Sequence, residues 1–418
     1  MFPAGTDPVG IVHLPAPGWR PMTEQRGMTE PRLKSQTPPL AGAARAKRWL
    51  LQDALPFWAG AGVDPRGGFH ERLDPDGRAD LTAPKRLRVQ ARQVFVYAFA
   101  SRMGWFDGVA LAERGAEFIL DRARLEPGRP AYACLLTPDG AIADATVDTY
   151  DQVFVVFALA SLFAASGDRA VLDEATAALA YLEDRLSDPV HGGFREAEPD
   201  REPRRQNPHM HAFETFLTLY EITRNRDHLK RADKIFTLFE ERFFNRREGA
   251  LQEHFESDWT VRAGVDGLVC EPGHEMEWCW LLHRYSEVSG VDTAAYAEAL
   301  FRHADTHGRN RATGFLADQI TVDGGALRSG SRLWPQTEHI KALCARSLTG
   351  CKRAGDQVDS VFGALFEGFL DTPVRGAWID RRSADGAIAD ATAPASTFYH
   401  LIGAIAEADR AGLTGPAG

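Results

Sequence analysis

HGGFREAEPD, residues 191–200, is the stretch on which the fold turns. Two glycines lead into an aromatic residue, a short alternation of charged and apolar residues follows, and Pro-Asp closes it, as in a short β-hairpin or loop. Read outward in both directions, the same outline recurs. It is found in GGFHERLDPDG from Gly67, YACLLTPDG from Tyr132, EGALQEHFESDW from Glu248, TGFLADQITVDGG from Thr313 and RGAWIDRRSADG from Arg375. The apolar positions Phe69, Tyr132, Phe194, Leu251, Phe315 and Trp378 divide the chain into units of about 60 residues, a spacing that marks a repeat architecture. Between the turns the periodicity is helical. LRVQARQVFVYAFASRM, TYDQVFVVFALASLFAAS, HMHAFETFLTLYEITRN and EMEWCWLLHRYSEVSG are apolar nearly all round and belong inside. Each is followed by a break and a more amphipathic helix with one wet face, such as HLKRADKIFTLFEERFF. Six inner and six outer helices predict an all-α (α/α)6 barrel, a six-hairpin toroid with short β-hairpins at one end. It spans residues 41–410 behind a Pro- and Gly-rich tail, residues 1–40, expected to be disordered. An open helical solenoid is the alternative.

The formal charge of -10 argues against nucleic-acid binding and against an anionic membrane surface, since both call for basic patches. No apolar run of membrane-spanning length stands out, and the N-terminal stretch does not have the pattern of a signal peptide. Five cysteines without a CxxC spacing point away from disulfides and structural zinc and toward a reducing, cytoplasmic setting. A monomer or homodimer is expected.

Each inner helix carries polar residues near its start, where a buried helix should have few. In unit order they are Arg88, Gln90 and Arg92; Asp148, Tyr150 and Asp151; Asn207, His209, His211 and Glu214; His274 and Glu277; Trp334, Gln336, Glu338 and His339; Ser396, Tyr399 and His400. Six clusters at equivalent places on six inner helices converge on one end of the barrel axis and make a pocket there. His211 with Glu214, and His274 with Glu277, are spaced i, i+3 on one helical face, so each glutamate can orient its imidazole or bind a ligand hydroxyl. His254, His283, His303 and His307 lie off these positions and read as structural. HEME at 274–277 is not the HExxH zinc pattern, and no metal or other cofactor is expected.

Taken in order, LRVQARQVFVYA (87–98), NPHMHAFET (207–215), EPGHEMEWCWLL (271–282), LWPQTEHIKA (333–342) and STFYHL (396–401) resemble the N-acylglucosamine 2-epimerase family over residues 45–408. The resemblance implies an (α/α)6 barrel and cofactor-free proton transfer at C1 and C2 of a sugar. It implies that Arg92 binds the open-chain sugar near O1 and O2, that His211 is a polar wall or proton donor, and that His274 and His400 are the acid/base pair. Asn207, Tyr150, Glu214, Glu277, Trp334 and Glu338 complete the expected substrate-binding set.

Histidine suits the proton steps, because its ordinary pKa near 6.5 lets it accept and donate near neutrality. A permanently charged arginine suits an enediolate. The expected reaction is aldose–ketose isomerisation of a monosaccharide, D-mannose to D-fructose. A 2-epimerase or a mannose-6-phosphate isomerase is the alternative, and Lys85, Arg86, Arg204 and Arg205 are candidates to meet a phosphate. A glycoside hydrolase on the same barrel would instead need two carboxylates, for which Asp148, Asp151 and Glu338 are available.

Overall fold

The computed structural model describes residues 41–415, so the expected tail, residues 1–40, lies outside the described part. The inner helices are α3 (Leu87–Arg102), α5 (Thr149–Ser166), α7 (Asn207–Thr223), α9 (Pro272–Ser289), α11 (Leu333–Leu348) and α13 (Ser396–Arg410). The outer layer is α1 (Ala41–Trp49) running through a wide turn, Leu50–Ala54, into α2 (Leu55–Ala61), then α4 (Val109–Phe118), α6 (Arg169–Tyr181), α8 (Arg226–Leu238), α10 (Ala294–His307) and α12 (Lys352–Leu365). Each inner helix packs on the next one around the ring; the first five also pack on the outer helix that follows in the chain, and α13, the last, packs on α1.

The ring closes. α13 packs on α3, and α1 packs on α12. At the seam, Arg72–Leu73 pairs antiparallel with Ala393–Pro394, which joins the first hairpin to the last. This selects the barrel over the open solenoid.

Local chemistry explains the helix limits. The Asp148 carboxylate caps α5 by accepting from the Asp151 amide at 3.2 Å, and Gly167, at φ 73°, stops it in the left-handed region that glycine enters freely. Asp168 and Asn225 cap α6 and α8 in the same way, at 2.9 and 3.0 Å. The expectation of no membrane-length apolar run needs correction: α5 is 18 residues long with mean hydropathy 1.4. The helix is 78% buried, against its barrel neighbours.

A second regularity ties the helices to the hairpins. In five units, the third or fourth residue of the inner helix holds the hairpin backbone. Gln90 accepts from the Phe69 amide at 2.7 Å and donates to its carbonyl at 2.9 Å. Gln152 does the same to Tyr132, and Gln336 to Leu316. His209 accepts from the Phe194 amide at 2.8 Å, and Glu275 from the Leu251 amide at 3.1 Å. These bonds satisfy backbone groups that would otherwise be buried unpaired. They also correct the repeat register: the fifth unit is held at Leu316, not Phe315. In the sixth unit the matching position is Phe398, packed against Trp58 and Trp378, and Gln93 reaches across the seam to the Ala395 carbonyl at 2.8 Å.

Candidate active site

Two residues beyond each of these holding positions stand Arg92, Phe154, His211, Glu277, Glu338 and His400. They form a closed ring around the barrel axis. The Arg92 guanidinium lies 4.4 Å from the Phe154 ring centroid, and Phe154 packs on His211 at 4.7 Å. Ligand atoms of His211, Glu214 and Glu277 lie within 4.8 Å of one another, as do those of Glu277, Glu338 and His400. Glu338 accepts from His400 Nδ1 at 2.7 Å, and Tyr399, whose ring lies 4.7 Å from His400 and 5.0 Å from the Arg92 guanidinium, bridges the remaining gap. A two-residue offset amounts to more than half a turn of helix, so the residue that holds the hairpin and the residue that faces the axis point to opposite sides. Gln90, His209 and Gln336, expected in the pocket, therefore belong to the hairpin attachments. His339 also turns outward, against Phe301 and Arg309.

Above the ring stand Tyr150, Asn207 and Trp334. Tyr150 OH accepts from Arg92 at 2.8 Å and packs on His211 at 5.1 Å. Trp334 lies between two imidazoles, 5.1 Å from His274 and 5.4 Å from His400. Below the ring, Glu214 pairs with His211 Nδ1 at 3.2 Å and accepts from the Tyr399 hydroxyl. All ten residues proposed from sequence thus belong to one connected cluster.

One assignment within it changes. Glu277 does not orient His274. That task falls to Glu253, on the hairpin before α9, whose carboxylate takes His274 Nδ1 at 3.0 Å. Glu253 is itself fixed by Gln206 Nε2 at 2.9 Å, and Gln206 in turn accepts from Trp278 Nε1 at 2.7 Å. Glu277 instead presents both oxygens without a protein hydrogen bond, as do Arg92 Nε and Asn207 Oδ1. Buried polar atoms of this kind suit a polyhydroxylated ligand. Lys341, also absent from the sequence-based set, lies one turn below Glu338 and contacts it at 2.6 Å.

The electrostatics divide the two imidazoles. Burial alone drives His274 down, but Glu253, Glu271 and Glu277 outweigh it and raise its pKa to about 9. As a cation it donates from Nδ1 to Glu253, while Nε2 lies 3.1 Å from Asn207 Nδ2, an amide nitrogen that cannot accept, so the Nε2 hydrogen is left for a ligand. His400 goes the other way. Burial pushes its pKa well below the ordinary value, and the charges of Arg92, Lys341, His211 and His274 add to this. Near neutrality one imidazole is a proton donor and the other a proton acceptor, the division that acid/base catalysis requires.

The two carboxylate–histidine groups could chemically hold a divalent cation. The Lys341 ammonium already meets the charge of Glu338, and lies 3.7 Å from Glu277. The carboxylates that a hydrolase would use are engaged elsewhere: Arg88 grips Asp151 through Nε and Nη2 at 2.8 and 3.1 Å, and Asp148 pairs with Arg201 and caps α5.

An (α/α)6 barrel with polar groups gathered on its axis is the frame found in sugar isomerases and epimerases of this fold. The family model for N-acylglucosamine 2-epimerase matches residues 67–404, and the chain belongs to that family. A mannose-6-phosphate isomerase of Rhizobium meliloti (strain 1021) is 36% identical over 369 residues, covering 86% of this chain and 94% of that one. A D-mannose isomerase of Thermobifida fusca is 28% identical over 365 residues, covering 80% and 86%. Among solved structures, a D-mannose isomerase superposes with a TM-score of 0.75 at 22% identity, covering 91% of this chain and 99% of the other. The protein is an enzyme, an isomerase or epimerase of sugars.

Proposed function

We propose that this enzyme is an aldose–ketose isomerase of a neutral monosaccharide, converting D-mannose to D-fructose through an enediolate, without a metal ion and in the cytoplasm. The observation that carries this reading is the pair of imidazoles flanking Trp334, each anchored at Nδ1 by a buried carboxylate but carrying opposite charge preferences. His400, neutral, removes the C2 proton. The Arg92 guanidinium meets the developing oxyanion, where a fixed charge in a water-poor site is most effective. His274, cationic, donates to O1 and recovers a proton from the O2 hydroxyl as the C2 carbonyl forms, and His400 returns its proton to C1. Glu277 and Asn207 have free acceptor atoms for hydroxyls. The five cysteines are unpaired, which supports the reducing compartment.

A neutral sugar is favoured because the four basic residues considered for phosphate are already matched. Lys85 pairs with Asp64 at 2.8 Å, Arg86 with Glu71, Arg204 with Asp188 at 2.6 Å and Arg205 with Glu196. The mannose-6-phosphate isomerase relative favours a second reading, the phosphorylated hexose. Product analysis on D-mannose, mannose 6-phosphate, D-glucose and N-acetylglucosamine separates them. The expected result is fructose from mannose at the highest kcat/KM. Preference for mannose 6-phosphate would support the second reading, and mannose–glucose interconversion would make the enzyme an epimerase.

A further inference from the structure

Beneath the axial ring a single buried lysine faces two carboxylates of the ring, Glu277 and Glu338, and feels the charge of a third, Glu214. Lys341 Nζ is 2.6 Å from Glu338, 3.7 Å from Glu277 and 3.6 Å from the centroid of the Trp280 ring. Little solvent reaches it: its side chain is 2% exposed. Lysine is seldom buried to this degree, because desolvating an ammonium is costly unless a partner repays it. Its position on α11, one turn from Glu338, gives Glu338 two contacts: one oxygen takes His400 Nδ1 and the other takes Lys341.

We propose that Lys341 is a positioning residue that holds Glu338 as an anion and thereby fixes His400 in the tautomer whose Nε2 is free to take a proton. This rests on the proposed isomerase reading and assigns the control of its base. A carboxylate can only accept, so an anionic Glu338 requires the hydrogen of His400 on Nδ1 and leaves the Nε2 lone pair unused. A protonated Glu338 reverses the bond: its hydroxyl donates to Nδ1, the hydrogen moves to Nε2, and the base is lost. Burial pushes Glu338 toward that protonated form, the neighbouring Glu277 and Glu214 carboxylates push the same way, and its pKa lies well above the ordinary carboxylate value; the ammonium 2.6 Å from its second oxygen is the contact that favours the anion. Lys341 opposes them from α11, while His400 from α13, and Arg92, His211 and His274 from the other inner helices, make up the rest of the charged surroundings. Glu214 is less demanding, since His211, Lys341 and Tyr399 outweigh burial and hold it down to about 2.

The test compares the wild type with Lys341→Met and Lys341→Arg in two ways: kcat and KM on D-mannose across pH, and the 15N signature of His400 in the substrate-free enzyme. Wild-type His400 should be the Nδ1–H tautomer from pH 6 to 8. In Lys341→Met it should shift to Nε2–H. The kcat should fall by about 10²-fold, as when a histidine base is held in the wrong tautomer. KM should change little, and the acidic limb of kcat/KM should move to higher pH because Glu338 now holds its proton longer. Lys341→Arg should restore most of the rate. An Nε2–H tautomer in the wild type would overturn the proposal without any variant. A slower, less stable Lys341→Met with an unmoved acidic limb and an unchanged tautomer would make Lys341 merely structural. If no tested sugar is converted, the isomerase reading fails, while the tautomer comparison still decides the role of Lys341.

Discussion

At the scale of the residue, the partner of His274 sets its role more than its position does. Glu253 outbids burial and leaves this imidazole cationic up to about pH 9. A group raised above its ordinary value serves as an acid below that value and is lost as pH rises through it, so the alkaline limb of kcat/KM should lie near 9. Glu253→Gln keeps an acceptor but removes the charge. The limb should then move toward the ordinary histidine value near 6.5, and the rate at neutral pH should drop by about tenfold. An alkaline limb that stays put would detach His274 from the proton step. The resemblance carried by EPGHEMEWCWLL put His274 in an acid/base pair without saying which member is the acid, and it gave no sign of the partner. Glu253 lies 21 residues upstream on a hairpin, and only the fold brings it to the ring. Lys341 was hidden for a related reason, since a lysine on a helix reads as a face turned to water until the fold buries it.

At the scale of the element, the hairpin attachments explain both a success and a failure of the sequence reading. Polar residues near the starts of the inner helices were visible as a pattern. The pattern mixed two sets two positions apart, one holding the hairpins and one facing the axis, and periodicity alone does not tell them apart. The fourth unit shows the energetic side of this. Its holding residue is a charged Glu275, and His303 on α10 compensates it, with Nδ1 on the carboxylate at 2.9 Å and Nε2 on the Val322 carbonyl at 3.0 Å. With acceptors on both sides the ring is doubly protonated; burial opposes this, and Glu275 outweighs it. His303, a structural residue by its position, is therefore not a silent one. His303→Ala should cost about 2 kcal/mol or more by stranding the Glu275 charge, with kcat on D-mannose nearly unchanged. Denaturant unfolding measures the first and steady-state kinetics the second; a stability loss below about 0.5 kcal/mol would contradict the compensation argument. Gln90→Ala should likewise cost about 1–3 kcal/mol, because it leaves both backbone groups of Phe69 buried without partners.

At the scale of the whole molecule, the sixfold repeat places six side chains on one axis, and closure makes that axis a site. The repeat was readable because each turn needs glycines and a polar reverse, and each buried helix needs apolar residues all round. The seam was not, since the pairing of Arg72–Leu73 with Ala393–Pro394 joins segments more than 300 residues apart. The ring also bears on metal use. With Lys341 and Arg92 supplying fixed positive charge, activity on D-mannose should survive exhaustive dialysis against EDTA. Loss on chelation restored by one divalent ion would transfer the role to the two carboxylate–histidine groups. The central claim, that His400 moves a proton between C2 and C1 on this axis, is tested most directly by converting D-mannose in D2O with the wild type and with His400→Ala. The account predicts solvent deuterium at C1 of the fructose formed by the wild type and a rate at least about 10²-fold lower in the folded variant. Fructose free of solvent deuterium at every stage of conversion, or a His400→Ala enzyme of near-normal rate, would contradict it.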